Sequence, residues 1–164
     1  MKNLGGRRLA GAIEDAHALE TEAVEILKAL AETARDPQLT AALEEHRAET
    51  AKIRVRLETA LASLGLSASG RKERRAFVNA TVKGFTGTLR GGSSPQNLKD
   101  WYILEHAEIA TFAIVSRAAE RLEYHDISRV AREAAGMHGR AAEVSASWFD
   151  YLVELMVATP STTG

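Results

Sequence analysis

Residues 98–122 read LKDWYILEHAEIATFAIVSRAAERL. Taken in steps of three and four, the stretch yields Leu98, Trp101, Glu105, Glu108, Phe112, Val115, Ala119 and Leu122. That spacing is the seam a helix turns toward the core of a bundle. Two adjacent seam positions are glutamates, with apolar neighbours on both sides. Three more seams lie around this one. The first helix gives Leu9, Ile13, Ala16, Glu20, Ala23, Leu27, Leu30 and Ala34. The second gives Leu39, Leu43, His46, Thr50, Ile53, Leu57, Ala60 and Leu64, with Glu49 beside it, one turn after His46. The fourth gives Ile127, Ala131, Ala134, His138, Ala141, Ser145, Trp148, Leu152 and Leu155.

Long helices are expected near 7–34, 38–64, 95–123 and 126–157. Asp36-Pro37, Ser94-Pro95 and Asp126 supply start signals, because a short polar side chain caps free N–H groups and proline fits the first turn. Gly65 ends the second helix, and Pro160 follows the last. The segment 66–94 is different. It is basic at Arg71, Lys72, Arg74, Arg75, Lys83 and Arg90, and it holds Gly84, Gly87, Gly91 and Gly92. A short helix over about 71–83, fading into a flexible connection, is the expectation there. No run alternates in the manner of a strand. The hairpin loops near 35–37 and 124–126 are short enough to force antiparallel neighbours. The expected architecture is all-α: a four-helix bundle of two antiparallel hairpins joined by a long connection, one domain spanning 1–164.

Composition narrows the function. With 21 basic and 22 acidic residues, the net charge of −1 argues against holding DNA or anionic lipid through overall charge. The cluster Arg71 to Arg75 reads as a solvated helical face rather than a nucleic-acid site. The absence of cysteine excludes disulfides, thiolate zinc sites, iron–sulfur clusters and thiol nucleophiles. No segment is long and apolar enough to cross a membrane, and Met1 to Glu20 lacks the pattern of a signal peptide, so a cytoplasmic protein is expected. Phosphate-cradling glycine motifs, GxSxG and HExxH are absent.

Each helix thus carries an acid or an imidazole on its inward face, near its middle. At 1.5 Å per residue, Glu20 and Glu49 lie about 21 Å and 18 Å from the first hairpin loop. Glu108 and His138 lie about 22 Å and 18 Å from the second. His46 and Glu105 fall a turn to either side. Side-by-side hairpins therefore bring six side chains, Glu20, His46, Glu49, Glu105, Glu108 and His138, into one layer. Unpaired carboxylates in an apolar interior repel each other and take up protons or bind cations. No lysine or arginine sits on the seams to neutralise them. Four carboxylates and two imidazoles are the ligand inventory of two-metal sites built inside helix bundles, and the donor types suit iron or manganese. His17 reads as a further ligand or a solvated neighbour, His106 as a group backing the site, and His125 as a loop residue. Glu14, Glu22, Glu25, Glu44, Glu45 and Glu58 read as outward charges.

Asp36-Pro37-Gln38-Leu39, followed by Glu44-Glu45-His46-Arg47-Ala48-Glu49-Thr50, resembles the second helix of the YciE/YciF-like, stress-associated ferritin-like proteins of bacteria. Glu105-His106-Ala107-Glu108-Ile109-Ala110 resembles the third-helix motif of that family, and Asp15 to Leu30 its first helix. The resemblance implies a ferritin-like bundle, a two-metal centre and self-association, commonly as a dimer. It carries ligand roles onto Glu20, His46, Glu49, Glu105 and Glu108. Two positions depart from the family: His138-Gly139 stands where a pair of acids is usual, and Ile53 where Gln or His is frequent. Three alternatives follow: His138 replaces a lost carboxylate, the site holds one ion, or it holds none. Two functions are carried forward. One is an iron- or manganese-dependent redox protein handling iron or peroxide. The other is a metal-free bundle acting as a structural or stress-related interaction protein.

Overall fold

The computed structural model describes residues 4–66 and 95–158. Five helices run through them: α1 (Leu4–Thr33), α2 (Pro37–Ser63), α3 (Pro95–Arg121), α4 (His125–Ser147) and α5 (Phe149–Val157). Among the described residues there is no strand, so the chain is all-α. The short helix expected at 71–83, and Ser94, fall outside the described residues.

Local chemistry accounts for the helix ends. Asp36 is extended at φ −89° and ψ 125°, and its Oδ1 accepts from the Gln38 and Leu39 amides at 2.7 and 3.2 Å. Pro37 fills the first turn, where no N–H is needed. Past α2, Gly65 turns left-handed at φ 73°, letting the Leu66 amide reach the Leu61 carbonyl at 3.0 Å. The end of α3 closes in the same way, with the Tyr124 amide on the Ala119 carbonyl at 2.9 Å, but the left-handed residue is Glu123 at φ 62°. Asp126 does not cap the fourth helix as expected. α4 begins at His125, Tyr124 sits at the cap without a side-chain bond, and Asp126 accepts from Arg129 at 3.0 Å.

The helix expected to run unbroken over 126–157 is interrupted at Trp148. Ser145 Oγ donates to the Ala142 carbonyl at 2.8 Å, and Ser147 Oγ to the Val144 carbonyl at 2.6 Å. The Trp148 amide turns back three residues to the Ser145 carbonyl at 3.2 Å. Hydroxyls that bond the carbonyls of their own helix loosen its ladder and bend it. Beyond the break, α5 folds Leu152 into the core and sets the Phe149 ring 5.3 Å from the ring of Tyr102 on α3.

α1 pairs with α2 and α3 with α4, while α1 also packs on α3 and α2 on α4. The pairs α1/α4 and α2/α3 are the diagonals. Two apolar clusters fix the directions. One joins the start of α1 (Leu9, Ile13), the end of α2 (Leu57, Leu61), the end of α3 (Phe112, Val115) and the start of α4 (Ile127, Ala131). The other joins the end of α1 (Leu27, Leu30), the start of α2 (Leu39, Leu43), the start of α3 (Leu98, Trp101) and α5 (Leu152). Neighbouring helices are therefore antiparallel and diagonal helices parallel. Leu66 leaves α2 at one end of the bundle, and Pro95 opens α3 at the other. Each fully buried leucine, isoleucine or phenylalanine contributes about 1.5–3 kcal/mol, so these clusters carry the fold.

Candidate metal centre

Between the two apolar clusters lies a polar layer. Glu20 sits on α1 between Ala16 of one cluster and Ala23 of the other, and His46 on α2 between Leu43 and Ile53. Glu105 and Glu108 sit on α3 between Leu104 and Phe112, and His138 on α4 directly after Met137. Glu20, Glu105, Glu108 and His138 are wholly buried, and His46 nearly so. The seam spacing forces this placement, since an i, i+3, i+7 progression from apolar residues brings these positions onto the inward stripe.

His138 is the centre of the layer. Its Nδ1 lies 2.8 Å from Glu105 Oε2 and 3.1 Å from Glu108 Oε2, and its Nε2 lies 3.0 Å from Glu20 Oε1. Nδ1 has one hydrogen to give and directs it to Glu105, so Glu108 receives a charge contact without a hydrogen bond. Glu105 is held from a third side, because Trp101 Nε1 donates to its Oε1 at 2.6 Å. The same oxygen is 2.8 Å from His46 Nε2, at ion-pair distance but out of line for a hydrogen bond. Both diagonals of the bundle are bridged here, α1 to α4 by Glu20–His138 and α2 to α3 by His46–Glu105. Phe112 stacks on the His138 ring at 5.6 Å, and the His46 ring stands edge-on to it at 5.4 Å.

The two glutamates of α3 behave oppositely. Burial pushes the Glu105 carboxyl up, but the hydrogen bond from His138 and the charge of His46 beside it outweigh it and hold the group below the usual carboxylate range. Burial raises Glu108 well above that range, and the charges of Glu20 and Glu105 add to the effect against the pull of His138. His138 would be lowered by burial, yet the carboxyls of Glu108, Glu105 and Glu20 raise it to about 12. With no cation, the layer therefore retains protons at neutral pH.

Two sets of ligand atoms converge to within 4.8 Å: His46, Glu105 and His138 form one, and Glu20, Glu108 and His138 the other. Either could hold a metal ion. The residues fit such an ion, because Glu20 Oε2, both oxygens of Glu108 and Thr50 Oγ1 are buried without a hydrogen-bond partner. Buried oxygens left unpaired cost about 1–3 kcal/mol each, and divalent cations are bound through atoms of this kind.

Five of the six residues singled out by the seams thus meet. Glu49 does not join them. Its side chain is 45% exposed and approaches the layer only through His46 Nδ1, at 3.9 Å. His17 pairs with Glu58 at 3.0 Å, apart from the layer. His106, expected to back the site, is exposed, and its Nδ1 donates to the Tyr102 carbonyl at 3.0 Å. His125 meets Glu120 at 3.5 Å on the surface. The seams did not single out Trp101 as a partner of the site. Its signal was available, four residues before Glu105 on the same face, which is the spacing that brings helix side chains together.

Among the described residues, no helix is long and apolar enough to cross a membrane. No curated protein matches the sequence significantly. The fold is similar to solved structures at low identity. A protein of Xanthomonas campestris pv. campestris shares 20% identity over 93% of this chain and 96% of its own, with a TM-score of 0.77. YcfI of Rhodopseudomonas palustris shares 20% over 88% of this chain and 94% of its own, with a TM-score of 0.71. The E. coli stress protein YciF shares 16% over 97% of this chain and 100% of its own, with a TM-score of 0.73. A family profile described as "Domain of unknown function (DUF892)" matches residues 8–136, most of the chain. That match covers well over half of the chain, and the neighbours share its helical fold: the chain belongs to the DUF892 family.

Proposed function

We propose that the protein is a ferritin-like metal-binding protein whose centre takes two iron or manganese ions and serves a redox role in stress, handling iron or peroxide. The observation that carries this reading is the convergence of two ligand sets on one buried layer, with carboxylate oxygens there left unpartnered. Glu20, Glu105 and Glu108 would balance the charge of the ions, and His46 and His138 would donate imidazole nitrogen. Glu49, at the rim beside His46, is the sixth ligand of this proposal. When bound, iron or manganese would supply one-electron redox chemistry toward oxygen or peroxide. Trp101 fixes Glu105 through its indole N–H, while Phe112, Leu43 and Leu104 keep bulk water from the layer. Binding requires Glu108 to be ionised and His138 neutral, so loading expels the protons that the metal-free layer holds. The family likeness extends the proposal to a cytoplasmic homodimer.

One observation favours the metal-free alternative. His138 already faces three carboxyls and offsets part of their charge without any ion. Crystals grown in iron(II) or manganese(II), with anomalous scattering and elemental analysis of the dissolved crystals, separate the two readings. Two ions per chain within reach of Glu20, Glu105, Glu108 and His138 support the first. Absence of density after loading with both metals leaves only the bundle.

A further inference from the structure

We infer that the two halves of the layer are chemically unequal: His46, Glu105 and His138 form a nitrogen-rich half that takes a borderline ion first, and Glu20 with Glu108 forms an oxygen-only half suited to a harder ion. The inference rests on the metal-binding reading above and gives the class of ion for each place.

The arithmetic of lone pairs carries it. A neutral imidazole has one nitrogen lone pair to donate, so His138 can serve one ion of the pair. Its Nε2 faces Glu20, while its Nδ1 lies nearer to Glu105, at 2.8 Å, than to Glu108, at 3.1 Å, and the question is which half keeps it. Glu105 decides this. Its two oxygens are bracketed by the two imidazoles, His46 Nε2 and His138 Nδ1, each at 2.8 Å. Trp101 holds the carboxylate in that place at 2.6 Å. Two nitrogens and one oxygen are thus already positioned together on α2, α3 and α4, and preorganised donors lose less freedom on binding. On the other side, Glu20 Oε2 and both oxygens of Glu108 are buried and unpartnered. If His138 stays with His46, the second half has carboxylate oxygen alone. Imidazole donors favour zinc, cobalt and iron, whereas carboxylate suits manganese and magnesium. A centre built this way fills in sequence and accepts two different metals.

The test uses the full chain, stripped of metal by chelation. Cobalt(II) is titrated in while its visible d–d bands are recorded, and manganese(II) is then followed by loss of the free-ion EPR signal. One tight cobalt per chain with the spectrum of a nitrogen-ligated ion is expected, followed by manganese binding at least about tenfold more weakly. His46→Gln should weaken the cobalt by at least about tenfold and spare the manganese, and Glu20→Gln should do the reverse. Circular dichroism in chelator checks folding, with His138→Gln and Glu108→Gln as substitutes for a variant that fails to fold. Two cobalt ions of equal affinity, a single site with no second ion, or equal damage from His46→Gln and Glu20→Gln would each overturn the inequality while leaving metal binding intact. Failure of every ion to bind would instead overturn the proposed function.

Discussion

Replacing Glu108 by leucine should make the metal-free protein more stable and the metal-loaded protein relatively less so. Glu108 is wholly buried, and neither of its oxygens has a hydrogen-bond partner. Relieving a buried unsatisfied group is worth about 1–3 kcal/mol. Against this stands the loss of the 3.1 Å contact with His138, which keeps Glu105 and Glu20 as partners. A net gain of about 1–2 kcal/mol corresponds to about 2–8 °C in Tm for a chain of this length. Metal acts in the opposite direction. An ion present at about 100 times its Kd stabilises the native state by about 2.7 kcal/mol, and under the proposed function Glu108→Leu removes a ligand needed for that gain. Wild type and variant should therefore exchange rank between chelator and saturating manganese(II). The assay is thermal unfolding followed by circular dichroism in both conditions. A variant that melts below wild type in chelator, or gains as much from manganese as wild type does, refutes the reasoning.

Glu123→Gly should stabilise the protein by about 1 kcal/mol in urea unfolding, because a residue with a Cβ is strained at the φ of 62° found there. Gly139→Ala should stabilise by about 0.5–1 kcal/mol in the same assay, since an added Cβ meets nothing within 4 Å in the middle of α4. In chelator, the His138 contribution to stability is fully present below its unfolded pKa of about 6.5 and is lost as pH rises toward about 12, so denaturant midpoints should fall on the alkaline side, and His138→Gln should flatten that fall.

The layer was legible because its residues sit on seams whose remaining positions are apolar. A helix that must bury Leu98, Trp101, Phe112 and Val115 buries Glu105 and Glu108 with them. Counting residues from the hairpin loops sufficed to match heights, since the rise of a helix is constant. Glu49 stands at the rim of the layer for a geometric reason. The α2 seam steps from His46 to Thr50, and a residue three after His46 falls about 60° to one side of it at 100° per residue. The break at Trp148 was not legible. It depends on whether Ser145 and Ser147 turn their hydroxyls to their own helix or outward, which apolar spacing does not encode. The Asp126 start signal failed because Arg129, one turn on, competes for its carboxylate. The left-handed Glu123 gave no warning, because glycine, the usual sign of such a turn, is missing there.

The crossing of both diagonals at one level has a bearing on how the chain finds a unique arrangement. Apolar seams alone tolerate sliding, since one leucine fits a gap left by another. A one-residue slip of α4 would swing His138 through about 100° and strand three acids opposite alanine or leucine. Such misalignments are penalised by the same polar groups that burden the correct one, much as a single buried asparagine selects the register of a coiled coil. The layer thus acts as a key that only one set of helix rotations turns.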